Sequence, residues 1–411
     1  MKAVPDLARW IRPGDCVMWG QAHAEPQTLT RALVAQRHAF GRLRLMLGIG
    51  ASDVLQPEHA DAFDFLAYCG GGTLRLLARA GVLDILPTHY SQWPALMRSG
   101  RLRVDVVMLQ VSPPDAHGRH SLGLAHEYLL PAIESARVIL AEVHPDVPWT
   151  HGPRTLQADE IDLYVQASYP LPGVAAGAPT DVEQAIARHA AAFIDDGATL
   201  QTGLGAVPQA VLAALKDRRD LGLHSGVIGD AAAALAEEGV VTNARKTIDR
   251  GCSVAGLLTG SSRLHRWAHD NPALQMRGSD YTHDPAVLAA IDRFVAINSA
   301  IEVDLTGQVN AEVANGVYVG AVGGALDFLR AAQCSRGGVP IVALPSTAGA
   351  ASRIVARLSG PVTTPRSDAG VIVTEHGAAD LRGLPLRARI ERMLAIADPS
   401  HRATLAAAVN L

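Results

Sequence analysis

Thr199-Leu200-Gln201-Thr202-Gly203-Leu204-Gly205-Ala206-Val207-Pro208-Gln209, running on into Ala210-Val211-Leu212-Ala213-Ala214-Leu215, is the stretch that decides the fold. A short apolar strand enters a glycine turn, and an Ala/Leu-rich helix follows with proline in its first turn. Proline suits that place because its missing N–H would have no helical partner there. The same order occurs near the start of the chain. Val17-Met18-Trp19-Gly20 leads through a loop of equal length to Glu25-Pro26-Gln27 and on to Thr28-Leu29-Thr30-Arg31-Ala32-Leu33. A second echo follows in each half. Asp115-Ala116-His117-Gly118 comes after one central strand and Asp304-Leu305-Thr306-Gly307 after another. Each echo alone is weak, but their matching order points to a duplicated α/β unit.

The rest of the chain alternates short apolar runs with Ala/Leu-rich helical stretches. Val106-Val107-Met108-Leu109-Gln110-Val111, Val138-Ile139-Leu140-Ala141-Glu142-Val143, Phe294-Val295-Ala296-Ile297 and Ile341-Val342-Ala343-Leu344 read as buried strands. Runs of this kind, bounded by Gly, Pro or Asp, favour parallel or mixed sheets with helices on both faces. The expected fold class is α/β, with two similar open domains, residues 1–178 and 179–411. Gly173-Val174-Ala175-Ala176-Gly177-Ala178-Pro179-Thr180 has a linker's composition. Thr180-Asp181-Val182-Glu183 then reads as a capped helix start.

Composition narrows the function classes. The chain has 411 residues, 48% of them hydrophobic and only 4% aromatic. That suffices for two or three cores in which small residues let helices lie close on a sheet. Net charge is -4, so no basic field is available for nucleic acid. Four scattered cysteines form no CxxC, which argues against a disulfide or zinc framework and for a reduced, cytoplasmic setting. The first residues lack the apolar core of a signal peptide, and no run approaches membrane-span length.

Several motifs could carry chemistry, and each has a plain structural alternative. The glycine turn at Gly203 and Gly205 could bring backbone N–H groups to a thioester carbonyl or a pyrophosphate, or it could be an ordinary βα turn. Gly323-Gly324 and Ser335-Arg336-Gly337-Gly338 could line a ligand groove or only turn the chain. His117, His120, His126, His144, His151 and His224 lie in or beside Gly- or Pro-rich loops. Any could act as a base, although structural use is the better bet for each one singly. No HExxH-like spacing appears, so no metal is expected. Ser225 lies outside a GxSxG elbow. Cys69, before Gly70-Gly71-Gly72, could carry a lowered pKa, but a core cysteine is the commoner case.

Taken together, these pieces resemble the acetyl-CoA hydrolase/4-hydroxybutyrate CoA-transferase family along nearly the whole chain. The resemblance is carried by Val111-Ser112-Pro113-Pro114-Asp115-Ala116-His117-Gly118, Pro148-Trp149-Thr150-His151-Gly152, and residues 201–208, 221–225 and 297–309. Gly323-Gly324, Asp327-Phe328, Pro345-Ser346-Thr347, Ser352-Arg353-Ile354-Val355 and Val373-Thr374-Glu375 continue it. It implies two α/β domains with the active site between them and coenzyme A entering as an acyl thioester. Gln201, Gly203, Gly205, Gly226, Gly323, Gly324 and Ala325 would surround the thioester. Ser335, Gly337, Gly338, Ser346 and Thr347 would hold the cofactor. Members commonly form dimers, so a homodimer is the expected assembly, although nothing in this sequence indicates it independently.

The resemblance also implies two gaps. It calls for a nucleophilic glutamate directly after His224-Ser225, where this chain has Gly226, and for an oxyanion-holding glutamine where it has Ala325. Glu237 and Glu238 lie a dozen residues on and are poor substitutes. The expectation is therefore an enzyme that hydrolyses an acyl thioester, or passes the acyl group to a second, non-CoA acceptor, without a glutamyl-CoA intermediate. His224, Ser225, His120, His144 and His151 are its candidate catalytic residues. A non-catalytic thioester-binding homologue and a CoA transferase using another carboxylate remain as alternatives.

Overall fold

The computed structural model describes residues 5–173 and 177–408. The centre of the expected linker, 174–176, lies outside the described residues. Two compact units emerge. One comprises Met1–Val174, Gly256–Thr282 and Val317–Gly323, and the other Ala175–Ala255, His283–Gly316 and Gly324–Leu411. After its first stretch the chain returns twice to the first unit. Its excursions are held by bridges such as Ala125 to Leu257 and His151 to Gln275, pairings that no local signal announces.

The first unit is built on seven parallel strands: β1 (Cys16–Trp19), β2 (Leu43–Leu47), β3 (Phe63–Ala67), β4 (Leu83–Ile85), β5 (Val106–Val111), β6 (Val138–Val143) and β7 (Leu163–Gln166). Their order is β4-β3-β2-β1-β5-β6-β7, so the winding reverses at β1. All six residues of β5 and of β6 are buried, which is why these runs show no polar alternation. Helix α1 (Gln27–Ala35) buries Leu29 and Leu33 in the same core as Val17, Leu45 and Met108. Each such side chain contributes about 1.5–3 kcal/mol on leaving water.

The second unit repeats the plan. Strands β8 (Thr199–Thr202), β9 (Gly222–Leu223), β10 (Phe294–Asn298), β11 (Val339–Ala343), β12 (Val371–Thr374) and β13 (Gly377–Asp380) lie in the order β13-β12-β11-β10-β8-β9. Only β13 is antiparallel, folded back on β12 as a hairpin. The winding reverses at β8, as it does at β1 in the first unit. Helix α2 (Asp181–Ala191) starts as expected: the Thr180 hydroxyl accepts from the Glu183 N–H, and the Glu183 carboxylate accepts from the Thr180 N–H.

The two echoes acquire physical content. Asp115 Oδ1 accepts from the N–H groups of His117 and Arg119, and Asp304 Oδ1 accepts from those of Thr306 and Gln308. Both are the same side-chain-closed turn. The proline echo is looser. Pro26 precedes α1 as its cap, whereas Pro208 is the third residue of α3 (Ala206–Ala213). Both places tolerate proline, because the first helical N–H groups have no partner within the helix.

Candidate active site

In open α/β sheets, ligands gather beyond the carboxyl ends of the strands where the winding reverses. In the second unit that place follows β8, β9 and β10. The loops there are Gly203-Leu204-Gly205, His224-Ser225-Gly226 and Ser299-Ala300-Ile301. Helix α4 (Asp230–Glu237) follows the second loop, and α5 (Ala325–Cys334) begins beside it at Gly324.

Most of the polar side chains expected to do chemistry here are spent on holding the loops. Ser225 is fully buried. Its hydroxyl donates to the Thr202 carbonyl (3.1 Å) and accepts from the Thr202 N–H (3.3 Å), tying the end of β8 to the loop after β9. Gln201 and Asn298 exchange amide hydrogen bonds of 2.9 and 3.3 Å between β8 and β10. Gly203 donates its N–H to Ile297 (2.9 Å), so it continues the sheet rather than facing a ligand. Gly205 has φ 114° and open space at its Cβ position, and α3 starts immediately after it. Of the expected glycine turn, this end is the part exposed on the surface.

Gly226 and Gly324 share one neighbour, His283. A Cβ built on Gly226 would lie 2.9 Å from His283 Cε1 and 3.1 Å from Nε2. One built on Gly324 would lie 2.4 Å from the same Nε2. The imidazole thus occupies the space that side chains at both positions would need. It packs on Phe328 of α5 at 4.5 Å between ring centroids, and Phe328 in turn meets Phe294, which meets His224. His283 is 4% exposed. Burial, followed by the nearby His224, holds its pKa down at about 3, so the ring is neutral at neutral pH. A neutral imidazole keeps one N–H donor and one acceptor nitrogen.

Nothing in the sequence around His283 marks it for chemistry. The only local signal was its place in Thr282-His283-Asp284-Pro285, where Asp284 caps a helix by accepting from the N–H groups of Ala286 and Val287. Its meeting with Gly226 and Gly324, roughly 60 and 40 residues away in the chain, is a tertiary fact.

The other expected residues fall elsewhere. His120, His144 and His151 belong to the first unit. His120 Nδ1 bonds the Ser112 carbonyl at 2.7 Å. His144 is bonded at both ring nitrogens, to the Tyr169 carbonyl and the Asp146 N–H, and burial lowers its pKa. His151 pairs with Asp270 at 3.1 Å. It lines a groove of about 1170 Å³ with Trp149 and Arg266. Ser346 binds Glu375 twice, at 2.7 and 2.8 Å, with Thr347 opening the next short strand. Ser335, Gly337 and Gly338 lie at the opposite edge of the sheet. The Ser335 hydroxyl donates to Ile291 and accepts from the Phe294 N–H. The residues expected to hold cofactor are therefore divided between two edges of one sheet. Cys69 is buried, and burial pushes its thiol up to about 11, the reverse of an activated cysteine. Among the described residues, no cluster of three or more potential ligands could hold a metal ion, and no helix is long and apolar enough to cross a membrane.

Comparison with known proteins agrees with this architecture. The profile of the acetyl-CoA hydrolase/transferase N-terminal domain matches residues 1–169, and that of the corresponding C-terminal domain matches residues 260–409. The 4-hydroxybutyrate coenzyme A transferase of Clostridium kluyveri is 38% identical over 95% of this chain and 92% of its own length. The crystal structure of RipA from Yersinia pestis superposes with a TM-score of 0.93 at 35% identity, covering 98% of this chain and 94% of that one. The 4-hydroxybutyrate CoA-transferase of Porphyromonas gingivalis does so with a TM-score of 0.83 at 31% identity, over the same shares. With a matching reversal point in each unit and profiles matched at both its N-terminal and C-terminal regions, the chain belongs to the acetyl-CoA hydrolase/transferase family.

Proposed function

We propose that this protein acts on an acyl-CoA, or another acyl thioester, by direct attack of water or a second acceptor and without a glutamyl-CoA intermediate. The observation that carries the reading is the position of His283. Its ring fills the space beside Gly226, where the family resemblance calls for a carboxylate. It also abuts Gly324, one residue before Ala325, where the resemblance calls for a glutamine amide. In this reading a single neutral imidazole replaces both groups. Its N–H supports the thioester oxygen as negative charge develops there. Water or the acceptor adds to the carbonyl carbon, the C–S bond breaks, and CoA leaves as the thiol with the attacker's proton. Gly205 and the start of α3 supply further N–H groups toward that oxygen. A cytoplasmic location and a homodimeric assembly accompany this reading.

Incubation with acyl-CoAs of increasing chain length, with and without amine, alcohol and carboxylate acceptors, tests it through release of free thiol. Absence of turnover under every condition sinks the proposal. A hydroxylamine-sensitive CoA adduct on a carboxylate would instead establish conventional CoA transfer. A second reading, thioester binding without chemistry, is favoured by the structural commitment of Ser225 and Gln201. Calorimetric binding of acyl-CoA with no product would support it.

A further inference from the structure

The amino-terminal edge of the second sheet carries a groove of about 540 Å³ that the thioester chemistry does not use. Gly197 precedes β8, Arg293 precedes β10, and Gly337 precedes β11 by two residues, so three adjacent parallel strands begin at its floor. Its walls bring together Arg245, Arg250, Arg293 and Arg336, against one lining carboxylate, Asp292. Four arginines face Asp292 in the lining and, just outside it, the Asp220 partner of Arg245, which leaves +2 at the groove on a chain whose net charge is -4.

The groove has a built floor. At Gly197 a Cβ would lie 2.6 Å from Arg245 Cδ and 3.4 Å from Arg293 Nη1, so the absent side chain is what lets these arginines lie across the backbone. Gly197 has φ +76°, which also favours glycine there. Gly337, with φ +73°, lies beside the stem of Arg293, where a Cβ would meet its Cγ at an ordinary contact distance of 3.6 Å. The guanidiniums are held in place. Arg293 donates to the Asp196 carbonyl (3.2 Å) and Arg250 to the Lys246 carbonyl (3.0 Å), both neutral acceptors. Arg245 pairs with Asp220 at 3.2 Å and Arg336 with Asp292.

We propose that this groove is a second ligand site, for a diphosphate-bearing small molecule such as a nucleoside diphosphate. Planar guanidinium forks match adjacent phosphates. The volume falls in the range of small-molecule sites. No aromatic side chain lines it, so the phosphates and not a base carry recognition. The site lies at the strand ends opposite to Gly205, Gly226 and Ser346, so its ligand is separate from the thioester bound at the carboxyl edge.

The test is calorimetry of the full chain with inorganic pyrophosphate and with ADP at physiological ionic strength, in the presence and absence of saturating acyl-CoA. Saturable binding of both probes is expected, persisting when acyl-CoA is bound. Arg250→Ala and Arg336→Ala, both at exposed side chains, should each weaken it at least tenfold while leaving thermal unfolding unchanged. Lys216→Ala, an exposed lysine outside the groove, should leave it unaltered. No saturable binding, equal weakening by Lys216→Ala, or one-for-one displacement by acyl-CoA would overturn the proposal. The last outcome would identify the diphosphate as that of CoA itself. None of these readouts depends on thioester turnover.

Discussion

Placing a carboxylate at residue 226 requires moving His283 first. Carbon atoms in contact prefer about 3.5–4.0 Å. A Cβ on Gly226 would stand 2.9 Å from His283 Cε1. The ring must therefore retreat by roughly 0.6 Å to reach even the short end of that range. Its retreat is opposed by Phe328, whose ring packs on it at 4.5 Å between centroids. Gly226→Ala should accordingly cost about 1–3 kcal/mol through overpacking. Gly226→Glu should cost at least as much and show no CoA transfer. His283→Ala alone leaves a cavity and is destabilising by about 2–5 kcal/mol. The double variant Gly226→Glu/His283→Ala should recover about 1–3 kcal/mol relative to the sum of the singles, since one side chain fills the other's space. Thermal or denaturant unfolding reads the coupling. Transfer of CoA to acetate, with or without Ala325→Gln, reads the restored chemistry. If Gly226→Ala unfolds like the parent and the double variant is simply additive, the imidazole does not hold that space.

His283→Leu, close in size but without an N–H, should lower kcat by roughly 10²–10³ with little change in KM, as expected for a lost donor to a developing oxyanion; an unchanged kcat removes the residue from the chemistry. Ser225→Ala should reduce stability by about 1–2 kcal/mol yet retain turnover, because its hydroxyl bonds Thr202 and not a substrate; complete loss of turnover in a folded variant would restore it as a nucleophile. Glu127 gives a pH test in the first unit. Fully buried and bonded by the Gln21 amide and the Tyr90 hydroxyl, it has a pKa raised by burial from 4.5 to about 8. The folded state thus holds a proton that the unfolded chain releases above about pH 4.5. Glu127's contribution to stability is complete below that pH and is lost as pH rises through about 8, at about 1.4 kcal/mol per unit of the rise. Glu127→Gln should flatten the stability profile across this window, and parallel profiles for the two proteins would refute the assignment.

Much of the scaffold was legible because its signals are local. Buried parallel strands are continuous apolar runs, and β5, β6 and β10 were found to within a residue. The capped start at Thr180 and the two Asp-closed turns depend on residues within four positions of one another. The excursion of Gly256–Thr282 into the first unit depends on pairings more than a hundred residues apart, such as Ala125 with Leu257, and nothing local marked it. The same distinction runs through the candidate site. His224 and Ser225 were noticed for their chemistry, but only the fold shows Ser225 used as a loop clasp. His283 carries no local mark of chemistry, and only the fold places its ring in the space beside two distant glycines.

The sequence by itself determined that this is a duplicated α/β chain of a thioester-handling family, with no side chain at Gly226. Strand patterns, caps and turns are short-range properties of the backbone and its nearest side chains, and they can be read in order along the chain. Tertiary structure alone decided what occupies the volume beside Gly226, which polar groups are spent on the scaffold, and that four arginines converge at the far edge of the second sheet. Those facts follow from close packing between segments remote in sequence, where differences of a few tenths of an ångström decide what can fit.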